Sequence, residues 1–120
     1  MTLHENVRQG EERRVGTRGY GDVELAHKHL DARNAERGRS PQFSDGASAA
    51  YRWALGRADR SPVTGAVDAR GIPDLQLLTA EVDAAVVQME DPTSPPGPAD
   101  YSRGVHDALA WVCGHSDEAP

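Results

Sequence analysis

The chain has 120 residues, a formal charge of −6 and 38% apolar residues, of which alanine is the commonest, so its larger hydrophobic side chains suffice for one small domain. The longest apolar run, residues 108–113, is too short for a membrane span or for the hydrophobic stretch of a secretory signal, and the expected compartment is the cytoplasm. A single cysteine, Cys113, excludes an intramolecular disulfide framework and a Cys-based zinc finger.

Residues 1–20 mix Arg8, Arg13, Arg14 and Arg18 with Glu5, Glu11 and Glu12, and have few apolar anchors, which predicts a flexible arm. From Asp22, read as an N-cap, Val23, Ala26 and Leu30 recur at helical spacing up to a stop at Gly38. Pro41 punctuates the next connection. Ser44 or Asp45 is expected to cap a short helix reaching Leu55, with Gly56 at its left-handed end. Residues 57–72 carry Pro62, Gly65 and Gly71 without sustained periodicity and read as a long connection.

Pro73 and Asp74 then open the most regular helix, where Leu75, Leu78, Val82, Ala85, Val86 and Met89 fall in one arc. A second seam, Leu77, Ala80, Ala84 and Val87, repeats at spacings of three and four on the other side, so this helix is expected to be covered on both sides. Four prolines within residues 91–99 predict an extended or turning stretch, after which Asp100 or Ser102 caps a last helix ending at Gly114.

The chain also matches itself. Laying residues 43–62 over 101–120 pairs Ser44 with Ser102, Gly46 with Gly104, Ala50 with Ala108, Trp53 with Trp111, Gly56 with Gly114, Asp59 with Asp117 and Pro62 with Pro120. Composition alone would supply roughly one or two such identities. A weaker match, offset by 52 residues, pairs Asp22 with Asp74, Leu30 with Val82 and Asp31 with Asp83. The expected fold is therefore all-α: a single helical domain over residues 21–120 whose four-helix core is built from two duplicated helical hairpins, residues 22–62 and 74–120, about a pseudo-twofold axis. The two tryptophans are expected to serve packing at both helix ends.

The search for chemistry is mostly negative. No phosphate-cradling glycine loop, nucleophile elbow or His-Glu-x-x-His occurs, and no catalytic residue, cofactor or metal is assigned. His106, Cys113 and His115 invite a metal site, but the internal match lays them over Ser48, Leu55 and Arg57, which are ordinary surface and core choices. His27 and His29 diverge on their helix.

Two functional readings lead, with an enzyme kept behind them only because a helical bundle can bring distant polar residues together. The first is a non-enzymatic protein-interaction or regulatory protein, self-associating as a homodimer through Leu77, Ala80, Ala84 and Val87. The alternative is a nucleic-acid-associated factor using Arg13, Arg14, Arg18, Arg33 and Arg37, which the overall acidity and the lack of interleaved aromatic residues disfavour.

Overall fold

The computed structural model describes residues 13–66 and 71–120. Its framework is four helices: α1 (Tyr20–Glu36), α2 (Pro41–Ala54), α3 (Leu75–Glu90) and α4 (Pro96–Val112). A short antiparallel pair, β1 (Arg14–Val15) and β2 (Arg18–Gly19), precedes α1. Residues 13–19, expected within the flexible arm, are thus packed; residues 1–12 of that expectation lie outside the described residues. Val15 is fully buried, while the Thr17 backbone N–H and hydroxyl both donate to the Val112 carbonyl, at 2.9 and 3.0 Å. That carbonyl is one of those left open where α4 ends. The anchor is 95 residues away in sequence, so no local pattern announces it.

Three helix starts lie upstream of their sequence-based positions. Helix α1 begins at Tyr20 behind Gly19, which supplies no side-chain cap, and Asp22 sits in the first turn, where its negative charge suits the helix dipole. At α2 the cap is Ser40, whose Oγ accepts from the Phe43 N–H at 3.2 Å, and Pro41 takes the first helical position, where no N–H is required. Ser44 and Asp45 are therefore inside the helix. Helix α4 starts at Pro96, well before Asp100 and Ser102, because prolines are tolerated throughout a first turn whose N–H groups have no partners in any case. Asp74 does cap α3, accepting from the Leu77 N–H at 2.9 Å.

The ends of α2 and α4 are alike. Gly56 (φ 79°) and Gly114 (φ 82°) adopt the left-handed conformation. Their N–H groups donate to Trp53 and Trp111 carbonyls at 3.0 Å, and the following Arg57 and His115 N–H groups reach Arg52 and Ala110 at 2.8 Å.

Helices α2 and α4 form the centre of the molecule and meet backbone to backbone. A Cβ placed on Gly46 would lie 2.0 Å from the Tyr101 carbonyl oxygen, and one placed on Gly104 would lie 2.0 Å from that of Phe43. Only glycine permits so close a crossing. Around it pack Leu30 from α1, Tyr51 from α2, Leu78 and Val82 from α3 and Leu109 from α4. Trp53 and Trp111 are 4% and 8% exposed, the latter meeting the Tyr51 ring edge-on at 6.3 Å and 89°.

The connection after α2 is tied down by Glu81. This carboxylate on α3 is 3% exposed and accepts from the Val63 and Thr64 N–H groups and from the Thr64 hydroxyl. Among the described residues, no helix is long and apolar enough to cross a membrane.

Candidate docking face on the third helix

Helix α3 carries apolar residues around most of its circumference, but the rest of the fold covers only one side. Leu78, Val82 and Ala85 are buried against the core. The opposite side faces solvent: Leu77 is 37% and Val87 is 71% exposed, Ala80 is exposed and Ala84 half-buried between them. Leu75, which the sequence places on the core arc, is the first residue of α3 and is 48% exposed. A single exposed leucine is ordinary on a protein surface; Leu77 and Val87, with Ala80 and Ala84 between them, give α3 an apolar seam on the side away from the core. Leu25 of α1, 52% exposed, was not singled out in the sequence, although the offset of 52 that pairs Asp22 with Asp74 also pairs it with Leu77.

A groove of about 570 Å³ adjoins this face. Gln88 of α3 lines one side, Pro98 and Tyr101 of α4 another, and Gln42 and Pro62 complete it. Gln88 is one turn beyond Ala84, so the groove continues one edge of the apolar face. The Ser102 hydroxyl donates to Gln88 Oε1 at 2.9 Å and holds that edge against α4.

The segment that forms this face carries one sign of charge, while Arg52 of α2 lies near enough to Tyr101 of the groove for its charge to act on the phenol. Residues 71–102 contain six acidic side chains and no Lys, Arg or His. Asp83 and Glu90 are exposed on α3 itself. At its C-terminal end the Asp91 carboxyl is held below its usual range by the Thr93 hydroxyl and N–H, which donate to Oδ1 at 2.7 and 2.9 Å.

The arginines considered for nucleic acid are placed differently. Arg18 donates from Nε to the Trp111 carbonyl at 2.8 Å and from Nη2 to that of Ser116 at 2.6 Å, with its guanidinium 4.8 Å above the Trp111 ring. Arg33 and Arg37 both donate to the Ala119 carbonyl, at 3.4 and 3.3 Å. Arg13 stacks 4.3 Å from the Tyr20 ring centre, and Arg14 is exposed on β1. Three of the five thus bind the segment that follows α4. The groove they share, of about 590 Å³, also contains Asp22, Glu36, Asp117 and Glu118, which offset its positive potential.

The histidines and the cysteine are dispersed. His27 Nε2 lies 2.9 Å from the Ser48 hydroxyl, and burial followed by the nearby Arg52 and Arg57 charges lowers its pKa, against a smaller opposing effect of Asp31. His29 is exposed. His106 Nδ1 is 3.0 Å from Asp107 Oδ1, His115 is exposed, and Cys113 is buried, with its thiol pKa pushed up by that burial. Among the described residues, no group of three or more His, Cys, Asp or Glu could hold a metal ion. No protein-family model matches this chain, and no curated protein and no solved structure matches it.

Proposed function

We propose that this is a small non-enzymatic interaction or regulatory protein that engages partners through the outer face of α3. The observation that carries the reading is the exposure of Leu77 and Val87 on a helix whose other side is part of the core. Self-association through this face is part of the proposal. Two copies of α3 packed antiparallel about Ala80 and Ala84 would set Leu77 of one against Val87 of the other, with the small residues allowing close approach. A single helix pair buries less than a stable dimer usually needs, so the association is weak and concentration-dependent. Light scattering over a range of concentration and salt tests it: a rising mass that Val87→Asp abolishes is expected. A strict monomer under all conditions refutes self-association.

We also propose that residues 22–62 and 74–120 are two copies of one helical hairpin related by an approximate twofold axis. The reciprocal close approaches at Gly46 and Gly104, and the matching end bonds at Gly56 and Gly114, support this reading. An experimental structure in which superposing α2 on α4 leaves α1 and α3 in unrelated directions would overturn it.

A further inference from the structure

We infer that the occupant for which the α3 face is best matched is a basic amphipathic helix of a partner protein, an inference that rests on the docking role proposed above. Geometry and charge together select this chemistry. The apolar seam Leu77, Ala80, Ala84, Val87 has the alternating three and four spacing of a helix-pairing surface, and its two central alanines let a second helix lie close. The sixteen residues of α3 are about 24 Å long, which a partner of five turns spans.

Charge then decides which helix fits. Asp83 and Glu90 border the seam, Asp74 and Asp91 stand at the two ends of α3, and residues 71–102 hold no basic side chain; on the groove side, away from Asp83 and Glu90, Arg52 acts on Tyr101. A second copy of α3 would bring these carboxylates near one another, which keeps the pairing between copies weak, whereas a helix bearing lysine or arginine meets them with opposite charge. The chain's own Arg18, Arg33 and Arg37 are directed to carbonyls of the segment following α4, and Arg57 pairs with Glu24 on α1. The groove beside Gln88, Pro98 and Tyr101 offers a seat for one large apolar side chain of the partner.

The test uses the intact chain and two synthetic amphipathic helices of about 18 residues. Both have leucine and alanine on one face; one has lysine on the other face and its control has glutamate. Fluorescence anisotropy should show saturable binding of the lysine peptide, weakened by added salt. Asp83→Lys/Glu90→Lys should weaken it by roughly tenfold or more. Val87→Asp is the decisive variant, since it adds a negative charge while breaking the apolar seat. Loss of affinity supports docking on α3, whereas tighter binding means diffuse attraction to an acidic protein and overturns the inference. All three positions are exposed, and thermal melts of the variants confirm that the fold is retained.

The two levels of the proposal separate cleanly. If the lysine peptide binds no better than its glutamate control while self-association remains sensitive to Val87→Asp, the basic partner is refuted and the docking face stands. If neither peptide binding nor self-association responds to Val87→Asp, the docking face falls as well.

Discussion

Replacing Gly46 by alanine tests the central crossing directly. The added Cβ would lie 2.0 Å from the Tyr101 carbonyl oxygen, with the Tyr101 carbonyl carbon at 2.8 Å. An unstrained carbon-to-oxygen contact is about 3.3 Å, so α2 and α4 would have to part by roughly 1.3 Å. The obstructing atoms are backbone, and no rotamer change relieves them. Overpacking a core costs about 1–3 kcal/mol, and a backbone obstruction belongs at the upper end. Against this, alanine is favoured over glycine in a helix by about 0.8–1 kcal/mol. The net expectation is a loss of about 2 kcal/mol, or a fall in Tm of about 8 °C for a domain of this size. Gly104→Ala should behave alike, because its Cβ meets the Phe43 carbonyl oxygen at the same 2.0 Å. The double variant should lose clearly less than the two losses added, since the first alanine has already parted the helices. Gly21→Ala is the internal control: it lies in α1 with nothing within 4 Å of its Cβ, and should stabilise by about 0.5 kcal/mol. Calorimetric melts of the four variants decide the matter. A Gly46→Ala protein melting at or above the parent, or strictly additive losses, refutes the close crossing.

Three further outcomes are expected. Tyr51 is fully buried and its hydroxyl has no hydrogen-bond partner, so Tyr51→Phe should be neutral or stabilise by up to about 1 kcal/mol in chemical denaturation; a marked loss would mean that the hydroxyl is bonded after all. His27 has a pKa below its ordinary 6.5 in the folded chain, so the unfolded state binds more protons just below that pH. The contribution of neutral His27 is complete above the unfolded value and lost as pH falls from there through the folded one. Tm measured against pH should therefore fall less on acidification in His27→Gln than in the parent, and parallel curves would refute the assignment. Glu81→Ala leaves the Val63 and Thr64 N–H groups without their acceptor, at a cost of about 1–3 kcal/mol, and hydrogen exchange across residues 61–66 should accelerate; unchanged exchange would show that the tether is not what orders the loop.

The helices themselves were legible because their signals are local: the apolar spacing of α3, the cap at Asp74 and the glycines at 38, 56 and 114 act within a turn or two of the chain. The starts of α2 and α4 differ from the sequence-based positions for one reason: a proline signals an interruption in sequence but also fits the first turn of a helix, where it stands in both. The two-sided apolar character of α3 was visible too, but spacing does not say which side the fold will cover. That depended on α4, which packs on the Leu78 and Val82 side and leaves Val87 in solvent.

What residue order alone determined is the set of four helices, the glycines that end α1, α2 and α4, and the match of residues 43–62 with 101–120 in sequence, all of which follow from interactions between near neighbours or from direct comparison. Tertiary structure alone decided that Thr17 closes the end of α4, that Glu81 holds a distant loop, that Gly46 and Gly104 are the point of closest approach, and that the arginines of α1 are directed to the segment after α4. Each of these joins groups far apart in the chain, and a polar or glycine residue looks the same in sequence whether its partner is solvent or a backbone many residues away.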